Sequence, residues 1–472
     1  IWTNKGGALK SWKLKKYKDD KKEDLELVSR RSSEINLFPF FLRTEDSSFD
    51  ATVNTAFYKS SHQALELKDG QKGELRFEYA DEKGTQVEKV FVFESGKYYF
   101  DTKIEVYKNG QEIAPHVLWG PGFSNLSPVE EKKRFGGGSG IAVYPAQKGG
   151  RLNEKRYISQ KNWEDLAQDQ KNVFYFVQWA AYDNNYFAAL FVTPLEKSTA
   201  AFLREGTEKN PYFLLSISSP QRAFIGPKDL EVLRNFGNES KRLIRFGAFG
   251  FIAEILLAAS KFCYRLIPNW GVSIIILTLV IKILFFPLTY SSTRSMAKMQ
   301  EIQPKIKALR AKYKKAKQDI AQRRMMNEEI MKLYKEHGIN PAGGCLPILI
   351  QLPIFFGFYR LLVVAIEYRQ SPFIFWIKDL SVSDPYYVTP ILMGVSQFIS
   401  QKVTPTSADP TQARLMLIMP FFFTFLFLNF QSGLVLYWLT NNVLQIIQQL
   451  IMNRMTQKKK SCLLYTSDAA DE

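Results

Sequence analysis

The pattern of apolar and polar positions changes once along the chain. Up to about Glu239 short runs alternate with period two: Leu75, Phe77 and Tyr79 stand between polar residues, and Asp81 to Gly84 supplies a turn. Val87 to Phe93 and Tyr98 to Tyr107 continue the alternation as far as the turn at Lys108-Asn109-Gly110. Further strands are expected at Val173 to Ala181, Tyr186 to Val192 and Tyr212 to Ile217, so residues 1–240 read as a large antiparallel β-sandwich. From Leu243 onward long Ile, Leu and Phe runs replace the alternation, which is membrane-protein composition.

In the second part, Val272 to Leu288 is about long enough to span a hydrocarbon core, yet it carries Lys282. An ammonium inside such a helix costs about 2.5–3.5 kcal/mol, so it should face a wet cavity or a partner rather than lipid. Later spans are expected at Leu346 to Ile366, Val388 to Ser400, Leu415 to Phe430 and Gly433 to Met452, about five in all. Phe246 to Ile267 is apolar but carries Glu254, Lys261 and Arg265, which favours an amphipathic helix in the membrane interface over a further span.

Between the first two spans lies a basic block from Arg294 to Lys335. Within it Met299, Ile302, Ile306, Leu309 and Tyr313 recur at coiled-coil spacing, and Ile330 and Leu333 continue on a second segment, which predicts a helical hairpin over 294–338. The formal charge of +17 and pI near 9.4 would suit nucleic acid or an anionic membrane surface. Position decides for the membrane: the basic block, Lys402 with Arg414, and Arg454 with Lys458 to Lys460 fall on one face and mark it cytoplasmic. The loop from Glu367 to Tyr387, with Glu367, Asp379 and Asp384, suits the opposite face, and the first domain then lies outside.

The three cysteines, Cys263, Cys345 and Cys462, and three scattered histidines have no metal-ligand or triad spacing, so no cofactor or metal is expected. The glycine-rich stretch Gly136 to Gly140 follows no clear strand and lacks a Lys-Ser/Thr ending, and is read as a loop. Ile1 begins in what looks like the interior of a domain, so a preceding targeting or anchoring segment is expected. Residues 461–472 turn acidic after Lys458 to Lys460, fit neither part and are read as an artefactual tail.

Polar residues gather in the apolar half. Thr278 lies one turn before Lys282, Gln351 sits in the second span, and Tyr437, Asn441, Asn442, Gln445, Gln448 and Gln449 in the last. Each could be helix-joining polarity. Together with Lys282 they suggest a hydrated, positively charged groove able to receive a polar or acidic polypeptide segment. A transporter would be expected to show acidic coupling residues or inverted repeats of broken spans, and neither is evident. A carbohydrate-active β domain would need a carboxylate pair, and none stands out.

The motifs of the second part resemble those of the YidC-type membrane protein insertases over Phe246 to Arg454. They run from Asn269-Trp270-Gly271 through Phe286-Pro287-Leu288-Thr289, then Ser295-Met296-Ala297-Lys298-Met299 with Gln303-Pro304-Lys305-Ile306. Asn340-Pro341-Ala342-Gly343-Gly344-Cys345, Asp384-Pro385-Tyr386-Tyr387 and Ser432-Gly433-Leu434-Val435-Leu436-Tyr437-Trp438 follow. The first part is similar to the periplasmic β-sandwich of the Gram-negative members.

The resemblance implies an α+β membrane protein: a periplasmic antiparallel β-sandwich, then an α-helical bundle of about five transmembrane helices with a cytoplasmic helical hairpin. It implies an inner-membrane insertase and chaperone, not an enzyme, working without a cofactor. Expected partners are nascent membrane proteins, the Sec translocon, the ribosome with the signal-recognition targeting machinery, and the lipid bilayer, with no specific nucleic acid. The family's groove arginine falls on Lys282, so a bidentate fork is replaced by a point charge. The groove expectation includes Lys282, Thr278, Gln351, Tyr437, Trp438, Asn441, Asn442 and Gln445, and the hairpin expectation Met299, Ile306, Leu309 and Ile330.

Overall fold

The computed structural model describes residues 1–123, 140–145, 156–159, 171–194, 198–313, 319–339, 346–404 and 410–468. Residues 136–139 of the glycine-rich stretch lie outside the described residues. The chain forms two compact units, one of residues 1–245 with 364–366 and one of residues 246–363 with 367–472.

The first unit is built on two antiparallel sheets. The larger, ten-stranded one runs Arg156–Ser159, Gly140–Pro145, Val177–Asp183, Phe187–Val192, Arg222–Pro227, Tyr99–Lys108, Thr85–Glu94, Lys72–Ala80 and Lys59–Ser60, with Gln111–Ile113 paired to Tyr99–Lys108. The five-stranded one runs Lys171–Tyr175, Thr199–Thr207, Asn210–Ser218, His116–Trp119 and Leu42–Arg43. The alternation read from the sequence sets the faces: Leu75 and Phe77 are buried while Glu74 and Glu78 are exposed. Inward residues of both sheets, among them Phe91, Phe100, Trp119, Phe191 and Phe202, belong to one core. Fully burying such a side chain contributes about 1.5–3 kcal/mol.

One inward position breaks the pattern chemically. Lys89 is fully buried in the strand Thr85–Glu94, where period two points it into the core. Its Nζ donates to the carbonyls of Gly6 and Phe40 at 2.7 Å each, and stands 5.5 Å from the Tyr58 ring centroid. Gly6 and Gly7 take positive φ here, and a side chain at Gly7 would crowd Phe77 and the Lys89 stem. Removal from water pushes the Lys89 ammonium down to about 7.

The second unit is helical. The first unit holds α1 (Arg31–Glu34), α2 (Ser47–Thr55) and α3 (Leu230–Phe236), and the second continues with α4 (Gly250–Leu266), α5 (Trp270–Leu284) and α6 (Phe286–Glu301). Then come α7 (Gln303–Lys312), α8 (Ile320–Glu336), α9 (Leu346–Val364), α10 (Val388–Val403), α11 (Pro410–Phe427) and α12 (Ser432–Asp468).

The expected span Val272 to Leu288 is not one helix. It breaks at Phe285, and α5 and α6 meet at 61°. Pro287 is the cause: it lacks an N–H and its ring clashes with the preceding turn, so it opens α6 instead of closing α5. Among the described residues one helix, Gly247–Leu266, is long and apolar enough to cross a membrane, or two if the bent pair counts as one span. Leu349–Val364 and Leu417–Phe427 are shorter apolar helices.

The helix that meets the length test is thus the segment expected to lie in the interface. Its two sides differ: Ala253, Leu256, Leu257, Ser260 and Cys263 are buried, whereas Phe251, Ile255, Phe262 and Leu266 are exposed. Lys261 reaches Glu367 at 2.8 Å, and a Cβ at Gly357 would meet Ile252, so only a glycine there lets α4 and α9 approach so closely.

Met299, Ile302, Ile306 and Ile339 form a small buried cluster with Ile330, Leu333 and Tyr334 packed on it. This joins the end of α6, α7 and α8. Leu309 is half-buried and stands outside that cluster. Glu329 ties the arms further, accepting from Lys312 Nζ at 2.9 Å and from the Tyr313 hydroxyl at 2.7 Å.

Candidate functional site: a polar cavity around Lys282

Helix α12 carries its polar residues on distinct faces, and that separation builds the site. Tyr437, Asn441, Gln445 and Gln448 follow at intervals of four, four and three residues, so they share a side of the helix. Lys282, near the end of α5, points at this side, and its Nζ donates to Gln445 Oε1 at 2.7 Å.

Below it, past the break at Phe285, Gln448 Nε2 donates to Thr289 Oγ1 at 2.8 Å. The break therefore lets α5 and α6 present two consecutive polar partners to one face of α12.

A cavity opens beside this contact. It is lined by Lys282, Phe285, Thr289, Gln351, Tyr437, Asn441 and Gln445, with Ile281, Leu288, Ile350 and Ile354. None of the lining residues is acidic. The cavity volume is about 50 Å³, room for a few waters and far less than a polypeptide segment occupies. Tyr437 is 1% exposed and its ring stacks on Phe358 at 4.4 Å, which fixes the phenol at the cavity wall.

Of the eight residues expected at the groove, Lys282, Gln351, Tyr437, Asn441 and Gln445 line this cavity. Thr278 does not: it is buried, and its hydroxyl donates to Ile274 O of its own helix at 2.6 Å. Trp438 is rotated away by about 100°, one helical step from Tyr437. Its indole donates to Gln397 Oε1 at 3.0 Å and packs among Phe355, Phe423 and Phe427. Asn442 joins α12 to α10, its Nδ2 donating to Met393 O at 3.3 Å and Ser396 Oγ at 3.1 Å. These two act as the helix-joining polarity of a packed bundle.

Thr289, named in the sequence only within the motif Phe286-Pro287-Leu288-Thr289, is not among the residues expected at the groove, because the break at Phe285 is what turns it toward α12. Ile350 and Ile354 are not among them either, because they look like ordinary span residues. Asp384, one of the acids of the 367–387 loop, is 1% exposed. It accepts from Trp376 Nε1 at 3.0 Å, Tyr386 N at 3.0 Å, and Thr389 N and Oγ1 at 2.8 Å each. Burial alone would raise its carboxyl, but these hydrogen bonds outweigh it and hold it below the ordinary carboxylate value.

Residues 3–259 match the family model described as the YidC periplasmic domain, and residues 262–460 the one described as the 60Kd inner membrane protein. The chain is 37% identical over 476 residues to the membrane protein insertase YidC of Geobacter sp. (strain M21), covering 97% of this chain and 84% of that protein. The protein of the same name from Syntrophus aciditrophicus (strain SB) is 37% identical over 477 residues, covering 96% and 83%. A solved structure of an active YidC insertase with its first transmembrane domain resolved covers 83% of this chain and 82% of that chain, at 21% identity and a TM-score of 0.40.

Proposed function

The chain belongs to the YidC family of membrane protein insertases, and we propose that the cavity around Lys282 is where it receives the hydrophilic flank of a nascent membrane protein. It is an inner membrane protein with a periplasmic domain, and an insertase rather than an enzyme.

In this reading the chain is a periplasmic β-sandwich of residues 1–240, an interfacial helix at 246–267 and a transmembrane core at 270–454. About five spans cross the membrane, with a cytoplasmic hairpin at 294–338. Lys282 supplies the charge, Gln445 holds it, and Gln351, Tyr437 and Asn441 line the wet wall. A polar or acidic flank held there crosses less hydrocarbon than one pulled through lipid alone, and its apolar helix then leaves sideways into the bilayer. A cavity of about 50 Å³ has to widen first, by α9 or α12 moving away from α5.

The observation that carries the reading is the Lys282–Gln445 hydrogen bond: the intramembrane cation is bound by a neutral amide at 2.7 Å, in a cavity without a carboxylate, so its charge stays available to a substrate. The Sec translocon, the ribosome with the signal-recognition machinery, and the lipid bilayer complete the expected partners. A photo-crosslinker at position 441, on the same cavity wall with Lys282 kept, tests the reading against stalled nascent chains of a single-span protein. Adducts that peak when the hydrophilic flank has just left the ribosome support it, and adducts confined to the apolar helix, or none, sink it.

A further inference from the structure

Loop 367–387 exposes four large apolar side chains while its acids are held by partners. Its acids are all engaged: Asp384 is buried beneath Trp376 and Thr389, Asp379 Oδ1 accepts from Ser381 N at 2.8 Å, and Glu367 meets Lys261 at 2.8 Å. Four of its large apolar residues are turned outward, Phe375 76%, Tyr386 68%, Ile374 47% and Tyr387 45% exposed, while Tyr368, Ile377 and Leu380 form its buried side. The one exposed charge among them is Lys378.

This arrangement is held rigidly. Asn269 Nδ2 donates to Phe373 O at 3.1 Å, and Gly271 lies against the Phe373 ring, where a side chain would collide. Ser432 N donates to Val382 O at 2.7 Å and Gly433 N to Leu380 O at 3.0 Å. The loop is thereby knitted to the N-termini of α5 and α12. Phe375 and Tyr387 sit in left-handed backbone, φ 51° and 57°, which bulky residues disfavour. The fold thus accepts strain at two of the exposed aromatics instead of burying them.

Water is a poor match for such a surface, because exposed apolar patches with buried acids mark an interaction face. The neighbouring stripe says which kind. From Tyr387 the exposure continues at Ile391, Val395 and Ile399, every fourth residue along α10, so the aromatic patch is the end of an apolar face wide enough for lipid.

We propose that loop 367–387 is an interfacial membrane anchor. Ile374, Phe375, Tyr386 and Tyr387 enter the boundary between headgroups and acyl chains, and Lys378 lies against lipid phosphates. Aromatic rings with a polar tip favour that boundary, and a cation beside them complements anionic headgroups. The anchor fixes the depth of the ends of α5, α10 and α12, hence of the bundle that carries Lys282.

The test uses the full chain with its three cysteines replaced by alanine, in vesicles of phosphatidylethanolamine and phosphatidylglycerol. Phe375→Cys and Tyr386→Cys carry a nitroxide label, and Lys209→Cys, on an exposed turn of the β unit, is the aqueous control. Collision with oxygen reports lipid, and collision with a soluble nickel chelate reports water. The anchor predicts an oxygen-to-chelate ratio several-fold above the control at both positions. A ratio equal to the control overturns it, and so does shielding from both reagents, which would mean that protein, a second copy included, covers the face. Tyr386→Cys removes an exposed ring, and Phe375→Cys removes only its stacking on Trp376, so agreement between the two labels keeps the reading independent of that contact.

Discussion

Lys282 Nζ donates to Gln445 Oε1 across α5 and α12 at 2.7 Å, so the cation of the cavity is oriented by an amide and not neutralised by a carboxylate. Gln445→Glu should therefore form an ion pair, leave the folded bundle intact and reduce insertion of substrates with acidic flanks, because the charge is spent internally. Gln445→Leu should keep the charge but leave the ammonium short of a partner, at a cost of about 1–3 kcal/mol. Insertion yield and thermal unfolding, measured together in proteoliposomes, separate the two effects.

Lys89 makes the β-sheet unit sensitive to pH. The unfolded lysine keeps its proton up to about its ordinary value of 10.5, while the folded one releases it at about 7. Between those values the unfolded state binds more protons, so stability rises as pH climbs through the window and the burial penalty is fully present below it. The slope reaches about 1.4 kcal/mol per pH unit for one proton. Urea unfolding of the β unit in the full chain, followed by fluorescence from neutral to alkaline pH, should show this rise, and Lys89→Met should flatten it.

Asp384 acts with the same sign in an acidic range, since its folded carboxyl is also held below its unfolded value. Its folded carboxyl lies below the ordinary 3.8, so the stability it supplies is present above that value and is lost as pH falls through the folded one. Asp384→Asn cannot accept equally from Trp376 and both Thr389 donors, and should cost about 1–3 kcal/mol at neutral pH. Thermal unfolding at neutral and acidic pH checks this: the variant should lose stability at neutral pH and less of its remainder on acidification.

The strands were legible because burial on one face leaves a period of two in the sequence, as Leu75, Phe77 and Tyr79 show. Lys89 was not, since alternation tells which way a side chain points and not that carbonyls of distant segments wait there. Lys282, Gln445 and Asn441 were legible because polarity in apolar helices must have partners. Trp438 and Asn442 lie off the cavity wall because one helical step turns a residue onto a different neighbour, and no single sequence states which helices are adjacent. The break at Phe285 hid in an unbroken apolar run, where Pro287 reads equally well as the end of one helix or the start of the next.

The proposed role of position 282 is to supply the positive charge that drives insertion. Purified chain in vesicles, given a single-span substrate with an acidic flank, should insert it with Lys282→Arg near the wild-type level and with Lys282→Ala and Lys282→Glu several-fold lower, the Glu variant lowest. Equal insertion by wild type, Lys282→Ala and Lys282→Glu, with each variant folded, would mean that the charge at this position does not act in insertion.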